Sequence, residues 1–130
     1  MATRSCTATL RGHTGFVLVC AWSPDGRTIA SVGSDKTLKL WSGAAPFSCS
    51  ATLQGHTDMV RSCAWSPDSR TLATGSRDNT VKLWDAATGN CCATLESHSG
   101  QVMSCVWSPN GDTLASCSYD DTLMLWDVQR

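Results

Sequence analysis

The sequence predicts an all-β chain made of three copies of one unit, each folding as four short antiparallel strands. Three observations lead there. Landmark residues recur at a fixed step: His13, His56 and His98 stand 43 and 42 residues apart. Trp22, Trp65 and Trp107 keep those steps, as do Trp41, Trp84 and Trp126. Between the landmarks, short runs rich in β-branched and aromatic residues alternate with a period of two, the spacing of a pleated strand. Turn signals separate the runs, and no window sustains a 3.6-residue period, so no helix is expected.

The middle unit, Leu53 to Asp85, shows each element in order. Val60 to Ser66 is the first strand, ended by Pro67-Asp68. The other copies end in Pro24-Asp25-Gly26 and Pro109-Asn110-Gly111. Proline presets φ for a turn and glycine supplies the positive φ of a tight reversal. Thr71 to Gly75 is the second strand and Arg77-Asp78-Asn79 the next turn. Thr80 to Asp85 is the third strand, in which Val81, Leu83 and Asp85 alternate with Lys82 and Trp84. The fourth strand precedes the next Gly-His step: Cys49 to Leu53, and again Cys91 to Leu95. The same segment stands alone at Cys6 to Leu10, so twelve strands are expected.

A period near 42 with Gly-His and Trp-Asp landmarks marks a propeller blade of four strands. On Gly12-His13, Gly55-His56, Trp84-Asp85 and Trp126-Asp127 the chain resembles the WD-repeat (WD40) β-propeller family over nearly its whole length. The resemblance implies one repeat domain over 1–130. Blade 1 covers 11–53, blade 2 covers 54–95, and 96–130 holds strands one to three of blade 3. Residues 1–10 are then an outer latch strand that completes the last blade of a neighbouring chain, as propellers of the family close their rings. Three blades do not close around an axis, since propellers have about four to eight. Left open, the end blades would expose apolar faces and an unpaired edge. Homo-oligomerisation of two or three identical chains, head to tail, would give a six- or nine-bladed ring. The alternatives are a fragment of a longer propeller and a purely structural repeat unit with no ligand of its own.

Composition narrows the function classes. Ten basic and eleven acidic residues leave a net charge of −1, with no Lys/Arg cluster for nucleic acid or a membrane surface. The apolar runs are too short to span a bilayer, and the N-terminal stretch lacks the apolar core of an export signal. A cytoplasmic setting is the expectation, with the nucleus open. The eight cysteines fit it as reduced thiols. Cys20, Cys63 and Cys105 repeat in place, as do Cys6, Cys49 and Cys91, and small buried thiols are expected there. Cys92 and Cys117 lie outside the pattern, and no metal-ligand spacing surrounds them.

The three histidines could suggest a metal ring. The family resemblance implies instead a relay of hydrogen bonds within each blade: Trp41-Ser31-His13-Asp35, Trp84-Thr74-His56-Asp78 and Trp126-Ser116-His98-Asp120. An indole N–H needs an acceptor, a hydroxyl accepts and donates, and an imidazole passes the chain to a carboxylate. No metal and no cofactor is expected. The same residue types could spell a hydrolytic triad, yet a nucleophile must be exposed beside an oxyanion site. These hydroxyls lie mid-strand with no GxSxG elbow, so no catalytic residue is expected. Ser23-Pro24, Ser66-Pro67 and Ser108-Pro109 read as turns rather than phosphorylation sites, and Asp25-Gly26 and Asn110-Gly111 as turns rather than calcium loops.

In the family, the face where the loops entering the first strand meet the turns between the second and third is the usual docking surface. Matching positions after each histidine are Phe16 and Leu18, Met59 and Arg61, Gln101 and Met103. Those before each relay aspartate are Ser34, Arg77 and Tyr119. They differ between copies whose surroundings stay alike, and they include the Phe, Tyr, Met and Arg of interface cores. The competing reading has them plug the mouth of the channel or vary freely. An unknown protein or peptide partner is the expectation, without nucleic acid or membrane. Three departures stand out. Trp41 is followed by Ser42 instead of Asp. Ser97 replaces glycine before His98, which would strain a backbone of positive φ. Asp121 adds a second acid beside Asp120.

Overall fold

The computed structural model describes residues 4–128. Among them are eleven strands and no helix. They are β1 (Val17–Trp22), β2 (Thr28–Gly33), β3 (Leu38–Ser42), β4 (Cys49–Leu53), β5 (Val60–Trp65), β6 (Thr71–Ser76), β7 (Val81–Asp85), β8 (Cys91–Leu95), β9 (Val102–Trp107), β10 (Thr113–Ser118) and β11 (Leu123–Asp127). They form three antiparallel meanders: β1-β2-β3-β4, β5-β6-β7-β8 and the three-stranded β9-β10-β11. Each meander is a blade, so the chain has two complete blades and one without its outermost strand.

Residues 6–10, expected as a twelfth strand, are not paired as one. A strand exists by its ladder of backbone hydrogen bonds to a neighbour, and no third strand of this chain borders this segment. Its local geometry is nonetheless that of the fourth strands. The Cys6 thiol lies 3.3 Å from the Ala8 carbonyl and 3.8 Å from Thr9 Oγ1. Cys49 and Cys91 make the same pair of contacts inside β4 and β8, at 3.4 and 3.8 Å and at 3.4 and 3.9 Å.

The blades stack through their first and second strands, with β1 and β2 against β5, and β5 and β6 against β9. Two apolar layers fill the gaps. One joins Ala30, Val32, Leu38, Leu40 and Leu53 of blade 1 to Val60, Cys63, Trp65, Leu72 and Trp84 of blade 2. The other joins Ala73, Val81 and Leu83 of blade 2 to Val102, Cys105 and Leu114 of blade 3. One hydrogen bond repeats across both gaps. Trp65 Nε1 donates to the Ala21 carbonyl at 3.1 Å, and Trp107 Nε1 to the Ala64 carbonyl at 2.8 Å. Each indole thus bolts its blade to the one before it. The tryptophan repeat was visible in the sequence, but this second role was not.

The outward faces of blades 1 and 3 carry the same residue types in exposed positions. Trp22 is 55% exposed, whereas its equivalent Trp65 is 9% exposed. On the far side of blade 3, Leu125 is 68% exposed, against 3% for Leu40 and 8% for Leu83. The same open faces correct the expectation for the thiols. Cys63 and Cys105 are buried between blades, but Cys20 lies on the open face of blade 1. Cys49 and Cys91 are exposed because the fourth strand is the outer rim of a blade, and Cys6 is exposed outside any strand.

The turns meet their φ requirements in two ways. Gly26 and Gly111 have φ of 73° and 79°, while blade 2 places Ser69 there at 63°. Ser69 Oγ accepts a hydrogen bond from the Asp25 backbone N–H at 3.1 Å, which ties the turns of neighbouring blades together. The glycine before each histidine serves another purpose. Gly12 and Gly55 have no positive φ. A β-carbon at Gly55 would lie 3.2 Å from Trp84 Cη2. Close approach to the indole, not backbone conformation, favours glycine there, so Ser97 brings no φ strain.

Candidate functional site

The residues singled out in the sequence fall into two groups, one inside each blade and one on the face where the turns converge. Inside, Trp84 Nε1 donates to Thr74 Oγ1 at 2.8 Å, and Thr74 Oγ1 lies 2.7 Å from His56 Nε2. His56 Nδ1 lies 2.8 Å from Asp78 Oδ2. Blade 1 repeats this with Trp41 to Ser31 at 2.8 Å, Ser31 to His13 at 2.7 Å and His13 to Asp35 at 2.9 Å. Blade 3 does so with Trp126 to Ser116 at 2.8 Å, Ser116 to His98 at 2.7 Å and His98 to Asp120 at 2.8 Å. The chemistry of the partners orients every proton. The indole N–H fills one acceptor site of the hydroxyl, whose own proton points to Nε2, so Nδ1 carries the imidazole proton and donates it to the carboxylate.

Strand geometry sets this up. Ser31, Thr74 and Ser116 sit on the second strand of each blade, and the tryptophan on the third pairs two residues along from it: Ile29↔Trp41, Leu72↔Trp84 and Leu114↔Trp126. The histidine arrives from the loop before the first strand. The aspartate sits in the turn after the second, so four separate segments are drawn to one point.

Each relay has further members that the sequence reading missed. Thr80 Oγ1 donates to Asp78 Oδ1 at 2.7 Å, and the Thr57 backbone N–H donates to Asp78 Oδ2 at 3.0 Å. Thr37 and Thr122 do the same for Asp35 and Asp120, at 2.8 and 2.6 Å. The signal was present as an Asp-x-Thr spacing in all three copies. These donors decide the charge state. Burial pushes the Asp35 carboxyl up, but hydrogen bonds from His13, Thr37 and Thr14 outweigh it and hold the group at about 2. Asp78 is likewise held below the usual carboxylate range, with burial opposed by Thr80 and His56. Asp120 is drawn down chiefly by the Thr122 hydroxyl. Burial pushes His56 below its ordinary value, against the pull of Asp78. An ionised aspartate facing a neutral imidazole is the state in which every proton of the relay has an acceptor.

The hydroxyls of this relay are sealed: Ser31, Thr74 and Ser116 are all buried. One lone pair and the proton of each are committed to tryptophan and histidine in a buried setting, which leaves no open nucleophile. Among the described residues, no three His, Cys, Asp or Glu side chains are grouped so as to hold a metal ion. Nor is any helix among the described residues long and apolar enough to cross a membrane. The buried thiols are also far from reactive thiolates, because burial pushes Cys63 up to about 12 and Cys105 to about 11.

The second group lies where first strands begin. In every blade the ladder between the first and second strands slips at one place, between Val17 and Val19, between Val60 and Ser62, and between Cys117 and Ser118. The residue left over on the first strand is Leu18, Arg61 or Met103. A bulge leaves one residue unpaired and re-aims its side chain. Backbone bonds then join the remaining candidates in pairs: Ser34 N–H to the Phe16 carbonyl at 2.9 Å, Arg77 to Met59 at 3.0 Å and Tyr119 to Gln101 at 3.0 Å. Phe16 and Tyr119 are 79% and 63% exposed, and Arg77 is exposed beside Asp58, with 3.8 Å between Nε and Oδ2. Met59, Arg61, Gln101, Met103 and Ser34 are half-buried except that Leu18 joins the exposed set. Arg61 Nε reaches across the blade gap to Gln101 Oε1 at 2.9 Å. The bulge residue of one blade therefore meets the post-histidine residue of the next.

The repeated blade, its relay and its turn face define a β-propeller repeat protein. The WD domain, G-beta repeat family (WD40) matches residues 4–42, 47–85 and 89–127, and the chain belongs to that family. Single repeats resemble parts of much longer proteins. One is telomerase protein component 1 of Rattus norvegicus, 53% identical over 36 residues, 28% of this chain and 1% of that protein. Another is vegetative incompatibility protein HET-E-1 of Podospora anserina, 49% identical over 41 residues, 32% of this chain and 3% of that protein. A third is cell division cycle 20.6, cofactor of APC complex, of Arabidopsis thaliana, 57% identical over 35 residues, 27% of this chain and 8% of that protein. The matched stretches span less than a tenth of each relative.

Proposed function

We propose that this chain is a non-enzymatic scaffold that docks proteins or peptides, and that it works as a head-to-tail ring of two or three copies. The observation that carries the ring is the match between its two open faces. The face of blade 1 that bears Trp22 is the counterpart of those that blades 2 and 3 press onto the preceding blade. The face of blade 3 that bears Val106, Leu123 and Leu125 is the counterpart of those that receive them. A second copy would complete an interface that each chain already builds twice, with Trp22 Nε1 donating to the partner copy's Val106 carbonyl. Such a contact is heterologous and forms a ring when the rotation closes. Light scattering after gel filtration should give two or three times the 13.9 kDa chain mass. A folded particle of one chain mass would refute the ring.

The docking role rests on the turn face. A frame repeated three times presents Phe16 after a relay histidine and Arg77 and Tyr119 before relay aspartates, all three exposed, and a ring shows each of them two or three times. Multivalent partners then gain avidity without new contacts. The relatives' names place repeats of this kind in a telomerase component and a cofactor of the APC complex, which supports an interaction role. Replacing Phe16, Arg77 and Tyr119 with alanine should remove bound partners in a pull-down while the melting temperature stays unchanged. Undiminished binding would favour a purely structural unit. We place the protein in the cytoplasm, where its eight unpaired cysteines stay reduced. In the second reading, further blades of a longer chain cover the same two faces. It is favoured by the short share of each relative that is matched, and a one-chain mass would support it.

A further inference from the structure

Blade 3 departs from the other two at one position on the face it would turn to a following blade. Val32, Gly75 and Cys117 are equivalent, each standing one residue after the relay hydroxyl on β2, β6 and β10. We infer that Cys117 of one copy meets Cys20 of the next at the junction of the ring, and that a hydroperoxide converts this thiol pair to a disulfide that locks the ring. The inference rests on the ring reading above and goes beyond it by assigning a modification site to the junction.

The chain builds the corresponding contact twice within itself. Cys63 and Cys105, the counterparts of Cys20, are buried in the layers between blades. A β-carbon on Gly75 would stand 3.2 Å from Cys105 Sγ and 2.6 Å from Val102 Cγ1, the end of a side chain that must turn aside. The junction of blades 1 and 2 shows the layer with that room made: Val32, Val60 and Cys63 are packed together in it, and all are buried. In a disulfide the β-carbon of one cysteine lies about 3 Å from the sulfur of the other, two bonds away. A cysteine at this position therefore brings its sulfur within bonding range of the facing thiol.

Neither contact inside the chain can be cross-linked, because Val32 and Gly75 carry no sulfur. The junction between copies has a thiol on each side. Strand pairing fixes their directions. Cys117 pairs Leu123 and so shares the open face of Leu123 and Leu125. Cys20 and Trp22, two residues apart on β1, share the other open face. Val17 completes that side of the contact, 56% exposed where Val60 and Val102 are 0% exposed.

In the single chain Cys20 is exposed, so an open junction presents it to the oxidant. Its sulfur takes one oxygen from hydrogen peroxide, giving a sulfenic acid and releasing water. When the copies dock, the Cys117 sulfur attacks that sulfur, the S–O bond breaks, and the departing hydroxide takes up the Cys117 proton as a second water. Two thiols lose two electrons and one peroxide is reduced to two waters. In a closed ring Cys20 takes the place of Cys63, whose burial keeps it a thiol. Oxidation thus acts on junctions that open and seals them when they close.

The test uses the full chain, treated with hydrogen peroxide, capped with an alkylating agent and run on a denaturing gel without reductant. The wild type is expected to give bands at two or three times 13.9 kDa that collapse on reduction, and peptide mass spectrometry should find Cys20 joined to Cys117. Cys117→Val installs the pairing that Val32 and Cys63 already make, which guards against misfolding: its ring should persist and its cross-link be lost. After peroxide the wild-type ring should survive about a hundredfold greater dilution than the Cys117→Val ring. A ring that forms without a cross-link, or a cross-link of equal yield in Cys117→Val, overturns the thiol pair and leaves the ring reading standing. A wild-type chain of single mass before and after peroxide overturns both.

Discussion

At the scale of single residues, the relay converts a polar interior into a source of definition. Thr74 Oγ1 accepts from Trp84 and donates to His56, and all three side chains are buried. Thr74→Val keeps the shape and removes both bonds, leaving an indole N–H and an imidazole nitrogen without partners. Losing one partner of a buried polar group costs about 1–3 kcal/mol per group. Denaturant titration should therefore show a loss of at least about 2 kcal/mol, and an unchanged midpoint would mean that water replaces the hydroxyl. The titrating members fix the sign of the pH dependence. His56 lies below its ordinary 6.5 when folded, so as pH falls through 6.5 the unfolded chain takes up the proton first and stability drops. Asp35 moves from 3.8 to about 2 on folding and Asp78 moves in the same direction. Their contribution is complete above about pH 4 and is lost as pH falls toward 2. The melting temperature should thus decline in two stages on acidification, the first starting near pH 6.5. A flat profile between pH 7 and 5 would show that His56 titrates as it does in the unfolded chain.

Elements were legible where their signal was local. β4, β7 and β8 lie within a residue of the alternation in the sequence, because Leu83 and Trp84 must face opposite sides of one sheet. Both turns of each blade were marked by Pro, Asp, Asn and Gly. Other features depend on neighbours that sequence distance hides. The slip that frees Leu18, Arg61 and Met103 appears only when β1, β5 and β9 are laid against their second strands. The role of Gly55 appears only when Trp84 is seen 3.2 Å from its absent side chain. Periodicity marked Cys20 and Cys63 as equals, yet one is exposed and the other buried. What separates them is the presence of a preceding blade. The Asp-x-Thr donors went unread for a different reason: a threonine two residues after an aspartate is common turn chemistry, and only geometry shows which carboxylate oxygen it serves.

At the scale of the molecule, the question is whether the exposed faces join unlike to unlike. A head-to-tail contact sets the Trp22 face of one copy on the Leu125 face of the next. A two-fold contact would set like faces together, and substitutions distinguish the two. Trp22→Glu places a charge on the first face, Leu125→Arg places one on the second, and both positions are exposed in the single chain, so the blades themselves should fold. Under head-to-tail assembly each variant alone has one damaged partner in every contact and should run as a single chain. Mixed in equal amounts, the intact Leu125 face of the first variant meets the intact Trp22 face of the second. One good junction forms, the other stays blocked, and the product should stop at an open pair. Under two-fold assembly, Trp22→Glu alone would still dimerise through its Leu125 face, and mixing would add nothing. Sedimentation of the two variants, apart and mixed, reads this directly. A pair that appears only on mixing would establish that the third blade of one copy is continued by the first blade of the next.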